Sequence, residues 1–325
     1  MILAGDAGAS KTELAVFEKK NENLKKIHSQ IYQSKEYDSL ESIVIGFFRN
    51  NNFKIDHACI GIPAPVIDGK AKATNINWDI DEKKISAVTG IKNFRIINDL
   101  AALSASVLKM PENKFIEVYG GKNSRQIGNK AILAPGTGLG QAAMIYDGEK
   151  YITIPTEGGH ADFAPVNETE TELLKYLLKK YDHVSYEKIA SGTGLPNIYD
   201  FLVSAGYGNS DNEINQRFLS EDKAKVITDE ALSKSNQSCM KAVEIFISVL
   251  GSQAGNMVLN YNAVSGVYLG GGIPLKLKEL FFSETFMKSY LSKGKLCYLP
   301  ESAPVYIIND ASAGTYGAAV IAAEQ

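Results

Sequence analysis

Between Phe94 and Leu103 the chain changes its period within a few residues, and this constrains the fold more than any other feature. Phe94-Arg95-Ile96-Ile97 is mostly apolar and aromatic or β-branched, the pattern of a buried strand. From Leu100 onward, Leu100, Leu103, Val107 and Leu108 recur at helical spacing among Ala101, Ala102 and Ala105, which are good helix formers. Asn98 and Asp99 therefore stand where a strand ends and a helix begins. In open α/β sheets that is the crevice where ligands bind. Taken alone, the pair reads as a helix cap. The rest of the chain gives it a second reading, as chemistry.

The N-terminal stretch predicts a hairpin: Ile2-Leu3-Ala4-Gly5-Asp6-Ala7-Gly8-Ala9-Ser10-Lys11-Thr12 opens as a strand and a tight Gly turn, and Glu13-Leu14-Ala15-Val16-Phe17 follows as the second strand. The spacing of a Walker loop is absent and no helix follows the glycines. Such a turn can still offer backbone N–H groups, with Lys11 or Thr12, to a phosphate. Asp6, at the strand end, can hold Mg²⁺ through water, because that ion takes few carboxylates and keeps its own waters. The bland alternative is a plain hairpin with an exposed carboxylate. A third strand (26–32) and an amphipathic helix carrying Leu40, Ile43, Val44, Phe47 and Phe48 follow. A buried strand near Ala58–Ile62 then runs into a loop stiffened by Pro63 and Pro65. Trp78, the only tryptophan, stands beside Thr74, Asn75 and Asn77; it is either core or the wall of a polar cleft.

A second region repeats the opening design. Ala131-Ile132-Leu133-Ala134 is a strand, Pro135-Gly136-Thr137-Gly138-Leu139-Gly140 a turn, and 141–146 a further strand. One such loop means little; two suggest a pair of phosphate-binding turns that close on one nucleotide. Glu157-Gly158-Gly159-His160-Ala161-Asp162 packs two carboxylates and an imidazole around glycines, which favours a site over a connector. A metal centre is the rival reading, but His160 has no Cys or second His at ligand spacing. Glu187 falls in the first turn of a predicted helix, where the helix dipole alone would explain it. A helix is predicted over 169–181 and a mainly helical stretch over 197–261. Val267-Tyr268-Leu269 ends in Gly270-Gly271-Gly272, with Pro274 as a first-turn helix residue, and such glycines let an aromatic base lie on the backbone. A last strand at 305–308 leads into an Ala-rich helix over 311–323.

At 325 residues the chain has room for roughly two domains. A net charge of -3 gives no basic footprint, so nucleic acid is not an expected partner. Its three cysteines are far apart and odd in number, which points to reduced thiols in the cytoplasm. No signal-peptide pattern is present, and the most apolar helix (242–259) contains Glu244, Gln253 and Asn256, so it is read as core and no membrane partner is expected.

These motifs together resemble the bacterial glucokinase family of the actin-like sugar kinases, over nearly the whole chain. The carriers are Gly5-Asp6-x-Gly8, Asn98-Asp99, Ala134-x-Gly136-Thr137-Gly138-Leu139-Gly140, Glu157-Gly158-Gly159-His160-x-Asp162-Phe163-Ala164-Pro165, Ser191-Gly192-x-Gly194-Leu195 and Leu269-Gly270-Gly271-Gly272-Ile273. The resemblance implies an α/β protein of two ribonuclease-H-like lobes (an actin-like ATPase fold) with a cleft between them. The expected lobes are 1–109 with 311–325, and 110–310. It implies ATP-dependent phosphorylation of glucose at the 6-hydroxyl, with Asp99 as general base and Asn98, Glu157, His160 and Glu187 as sugar ligands, joined by Asn75. Gly5, Asp6, Gly8, Ala9, Ser10, Lys11 and Thr12 in one turn, and Gly136, Thr137 and Gly138 in the other, would hold the phosphates of ATP. Gly270, Gly271 and Gly272 would hold the adenosine, and Asp6 the Mg²⁺. The family usually has Gly-Gly-Thr where this chain has Gly8-Ala9-Ser10, and a small residue where it has Pro135. The Cys-rich zinc motif of a related repressor and kinase family is absent, so zinc is not expected. The expected assembly is a homodimer. The alternatives are a kinase for mannose, fructose or an amino sugar, an actin-like ATPase, or a sugar-sensing regulator.

Overall fold

The computed structural model describes residues 1–21, 23–73, 76–122, 126–209 and 211–324. By its internal contacts the chain divides into two compact units: Met1–Lys114 with Thr153–Pro155 and Asp310–Gln325, and Phe115–Ile152 with Thr156–Asn309.

The first unit is built on a five-stranded sheet in the order β3-β2-β1-β4-β7. Its strands are β1 (Ile2–Ala7), β2 (Lys11–Lys20), β3 (Asn23–Gln33), β4 (His57–Ile62) and β7 (Asn93–Asn98). A small hairpin of β5 (Lys70–Ala73) and β6 (Trp78–Asp81) lies outside it. β1 pairs antiparallel with β2 and parallel with β4, and β4 runs parallel to β7. β1 is buried along almost its whole length because both faces of the sheet are covered. One face packs on α1 (Leu40–Asn50) and the residues around α2 (Glu82–Thr89), through Leu40, Ile43, Val44, Phe47 and Ile85. Trp78 belongs to this core: it is buried, and its indole N–H donates to the Tyr37 carbonyl at 3.1 Å. Of its two sequence readings the structure takes the core one. The other face packs on α3 (Asp99–Lys109) and the C-terminal helix Ala313–Ala323. These two helices cross so closely that a Cβ on Gly317 would collide with the carbonyl oxygen of Ala102. Only glycine permits that crossing, which fixes the helix that begins at Asp99.

The second unit carries a six-stranded sheet, β11-β10-β9-β12-β13-β8. Its strands are β8 (Phe115–Tyr119), β9 (Lys130–Pro135), β10 (Leu139–Tyr146), β11 (Tyr151–Thr156), β12 (Val267–Leu269) and β13 (Val305–Ile308). β9 pairs antiparallel with β10 and parallel with β12, and β12 runs parallel to β13. A hairpin followed by two parallel strands thus occurs once in each unit. The helices are α4 (Glu168–Leu177), α5 (Gly194–Ser204), α6 (Asn212–Ser220), α7 (Lys223–Leu232), α8 (Gln237–Tyr261), α9 (Gly272–Lys276), α10 (Glu284–Leu291) and α11 (Tyr298–Ser302). α8 begins on an Asn236 cap bonded to the Cys239 N–H and ends at Asn262 in the left-handed region, φ 48°. It is long and apolar enough to cross a membrane by length and composition, but 78% of that window is buried. Phe246, Val249, Leu250, Ala254 and Met257 place it in the core of this unit.

Several element ends depart from the sequence reading. α4 stops at Leu177, where Leu178 caps it, rather than running on to Tyr181. The C-terminal helix begins at Ala313, because Asp310 accepts from the Ser312 N–H and shapes a turn first. α9 begins at Gly272, so Pro274 occupies its third position rather than its first.

Candidate active site

The first unit gathers its candidate residues at the carboxyl ends of β1, β4 and β7. In register, Asp6 lies opposite Gly61 and Gly61 opposite Ile97, with Asn98 and Asp99 just beyond. Two strand spacings separate the β1 and β7 ends, about 10 Å. A Cβ on Gly61 would lie 3.4 Å from the Asp99 Cα and 3.3 Å from the Ala102 Cβ, so β4 keeps this corner narrow.

Asn98 caps α3: its Oδ1 accepts from the N–H groups of Leu100 and Ala101 at 2.9 and 3.3 Å, and its amide donates to the Ala64 carbonyl at 3.4 Å. Asp99 occupies the first helical position, half-buried, with Oδ1 2.9 Å from the Leu100 N–H. The cap is therefore made by the neighbour of the carboxylate.

Asp6 sits beside Glu13 across the hairpin. Glu13 is satisfied: it receives Lys26 Nζ at 3.2 Å, Ser312 Oγ at 3.1 Å and Thr315 Oγ1 at 2.8 Å. Asp6 is not tied down in this way. Burial, and then the Glu13 carboxylate, push its pKa up to about 6. A cation of low coordination demand on the protein, such as Mg²⁺, fits a strained single carboxylate of this kind. Among the described residues no group of three or more His, Cys, Asp or Glu could hold a metal by themselves.

The turn after β1 is closed by Gly8 N–H to the Lys11 carbonyl at 2.9 Å, and braced by Ser34, whose Oγ donates to the Gly8 carbonyl at 2.7 Å. Ser10 and Lys11 are exposed, while Gly8 and Ala9 are half-buried. Thr12 departs from its expected role. It is fully buried, with Oγ1 2.9 Å from Ser34 Oγ, so its hydroxyl is turned into the hairpin rather than toward the open side of the turn. Gly5 is inside the strand, where a Cβ would meet Leu14 Cδ2 at 2.7 Å. Asn75 lies outside the described residues.

The second unit brings the other candidates together by a short pairing invisible in local sequence. The Phe163 N–H donates to the Val184 carbonyl and the Tyr186 N–H to the Ala161 carbonyl, at 3.0 and 3.1 Å, while His183 Nε2 lies 2.8 Å from Asp162 Oδ1. This joins the 3-10 turn Gly158–His160 to the 3-10 turn Tyr186–Lys188. His160 Nε2 ends 4.0 Å from Glu187 Oε2. Glu187 Oε2 also accepts from the Leu139 N–H at 3.0 Å, pressing on Gly138, where a Cβ would collide with it. Glu157 and His160 are exposed. Gly159 is the residue that seats this turn, because a Cβ there would strike the Leu139 carbonyl oxygen.

The turn 136–138 closes through Gly136 N–H to the Gly138 carbonyl at 2.9 Å. Gly192 donates to the Gly136 carbonyl at 2.8 Å, and Thr193 donates to the Thr137 carbonyl from its N–H and from Oγ1 at 3.4 and 3.3 Å. Gly192 and Thr193 are braces of the turn that the sequence motif contained but gave no role. The Gly270 N–H bonds the Leu133 carbonyl at 3.0 Å, and Gly271, at φ 88°, passes the Pro135 carbonyl where a Cβ would be 2.8 Å away. Among the described residues, nothing lies within 4 Å of where a Gly272 Cβ would stand. The glycine run and the second turn are thus adjacent.

The Glucokinase family model matches residues 3–325. The chain belongs to the glucokinase family. The glucokinase of Nostoc punctiforme is 35% identical over 340 residues, covering 99% of each chain. Among solved structures, a glucokinase from an Antarctic psychrotroph matches with a TM-score of 0.83 at 23% identity, covering 100% of this chain and 99% of that one. A ROK family glucokinase from Streptomyces griseus, in complex with glucose and AMPPNP, matches with a TM-score of 0.68 at 17% identity, over 100% and 99%. The glucokinase fold therefore extends across both units, with a sheet of mixed parallel and antiparallel strands in each.

Proposed function

We propose that this chain phosphorylates glucose at its 6-hydroxyl with ATP, giving glucose 6-phosphate and ADP. The full-length family match supports the reaction, and the complex of the Streptomyces griseus relative supports the pair of substrates. The two units are, in this reading, the two ribonuclease-H-like lobes of an actin-like sugar kinase. The repeated order of hairpin and parallel strands supports it.

The roles follow from the geometry within each unit. Asp99 takes the proton of the attacking 6-hydroxyl. The observation that carries this role is that Asn98 Oδ1 caps the helix through the Leu100 and Ala101 N–H groups, so that Asp99, the one carboxylate of the pair, stands beside the cap at the strand end. Asn98 keeps an amide hydrogen for a sugar hydroxyl. Glu157, His160 and Glu187 accept or donate to the remaining hydroxyls. The turns closed by Gly8 and Gly136 hold phosphate oxygens through the backbone donors of 9–10 and 137–138, with Lys11, and the open face of Gly272 takes the adenosine. Asp6 would hold Mg²⁺ through water, and that ion, when bound, neutralises charge on the transferring phosphate. In water a hexose kinase also meets other sugars, so the test is a coupled assay over glucose, mannose, fructose and glucosamine with ATP. Glucose should give the highest kcat/KM, and ADP should form only when sugar is present. Sugar-independent ATP hydrolysis as the main activity would instead mark an actin-like ATPase. The cytoplasm and a homodimer remain part of the proposal, on the reduced cysteines and the family resemblance.

A further inference from the structure

Beneath the turn Gly158–His160 runs a buried chain of amides that the reading above leaves unused. Gln141, on β10, is only 2% exposed, and its Oε1 lies where it would meet a Gly158 Cβ at 2.5 Å. Gln253, on α8, is 4% exposed and donates from Nε2 to Gln141 Oε1 at 3.4 Å. Asn256, one turn further along α8, donates from Nδ2 to Gln253 Oε1 and to the Tyr186 hydroxyl, both at 3.1 Å. Tyr186 immediately precedes Glu187. The chain therefore starts under the loop of Glu157 and His160 and ends next to Glu187, with the long core helix between. The bond from Asn256 to Gln253 Oε1 orients Gln253 so that its N–H₂ faces Gln141. Gln141 is left accepting on Oε1, with Nε2 buried and, among the described residues, without a partner. A buried donor without a partner is costly, and folded proteins keep few of them.

We propose that Gln141 is a positioning residue for the sugar. The amide chain, which ends at Gln141 Oε1 against Gly158, sets the spacing of the two acidic loops, and the uncommitted Nε2 hydrogen finds its acceptor when the bound sugar shifts the Glu157 turn. This inference rests on Glu157, His160 and Glu187 being the sugar side of the site. The family resemblance assigns nothing to Gln141, Gln253 or Asn256. An isolated structural amide would behave differently. It would contribute to stability alone, and swapping both partners for apolar groups would repair any loss.

Three variants separate these cases, each measured for glucose KM, ATP KM, kcat and melting temperature. Gln141→Glu keeps shape and the oxygen facing Gln253 but replaces the uncommitted donor. Gln141→Leu removes both. Gln141→Leu with Gln253→Leu leaves no amide orphaned between those two positions, and Asn256, which loses its bond to Gln253, keeps the one to the Tyr186 hydroxyl. All three should raise glucose KM tenfold or more while ATP KM and saturating kcat stay within about twofold, and the double variant should regain melting temperature without regaining glucose KM. A wild-type glucose KM in Gln141→Glu, or its recovery along with stability in the double variant, overturns the inference. Wild-type protein that neither binds nor phosphorylates glucose would overturn the functional reading itself, and this inference with it.

Discussion

The hairpin of β1 and β2 and the hairpin of β9 and β10 share one frame and do different work with it. Each sends a strand into a tight turn of small residues and pairs onward to a parallel neighbour. One pair before the turn, the first hairpin sets Asp6 opposite Glu13, while the second sets Ala134 opposite Gly140. The first therefore carries two carboxylates side by side, one satisfied by Lys26, Ser312 and Thr315 and the other held up to a pKa of about 6. The second carries no side-chain charge there. Its turn is instead clamped from several sides by Gly192, Thr193 and Glu187. The same backbone thus yields a corner with one carboxylate destabilised by burial, which we propose for the cation, and a turn clamped by its neighbours, which we propose for phosphate oxygens. The difference lies in what each hairpin leaves unsatisfied.

The clamped side is the easier to break. Gly159→Ala places a Cβ against the Leu139 carbonyl oxygen, a backbone atom that cannot swing away. Overpacking of this kind should cost about 3 kcal/mol of stability and dislodge the Glu157 turn, seen as a lowered melting temperature and a weakened glucose affinity. Gly136→Ala meets nothing within 4 Å among the described residues and should leave the melting temperature near wild type. Equal effects of the two would show that the second turn is not clamped.

On the acidic side the effect is smaller and depends on pH. Asp6 has its pKa raised above that of the unfolded chain, so its contribution to stability is full when it is protonated, below about pH 4, and is lost as pH rises through about 6. Asp6→Asn should therefore be as stable as wild type near pH 4 and more stable at pH 8. A gap of about two pKa units sets the upper limit at about 3 kcal/mol. Mg²⁺ should narrow that difference by favouring the ionised form in the wild type. Denaturant melts at the two pH values, with and without the ion, measure it; a difference that does not change with pH would remove the strained-carboxylate account.

The same contrast explains what could be read before the fold was known. Asn98 and Asp99 were legible because the change from period two to period 3.6 happens on top of them, and the glycines of both turns because only short polar turns tolerate such spacing. Which of the two neighbours caps the helix was not legible, since Asn and Asp are nearly equivalent caps and only the fold shows Asn98 spent on Leu100 and Ala101. The meeting of His160 and Glu187, 4.0 Å apart, depends on backbone bonds between 161–163 and 184–186, a pairing too short to leave a period. Thr12 looked like a phosphate ligand because it follows Lys11, but strand alternation turns it inward onto Ser34. Trp78 stands among polar residues in sequence, yet its ring joins the core behind the sheet. Gln141 carried no signal at all: a glutamine in an apolar strand becomes informative only when the amides of α8 are found beside it.

The central claim is that Asp99 is the base and Asn98 the cap, and one substitution separates them. In Asp99→Asn the side chain keeps its size and can still serve the helix end, but it can no longer take a proton. Turnover of glucose with ATP should fall by roughly 10²- to 10⁴-fold while glucose still binds by calorimetry. Asp99→Asn protein that retains more than about a tenth of wild-type turnover would contradict the account and move the base elsewhere.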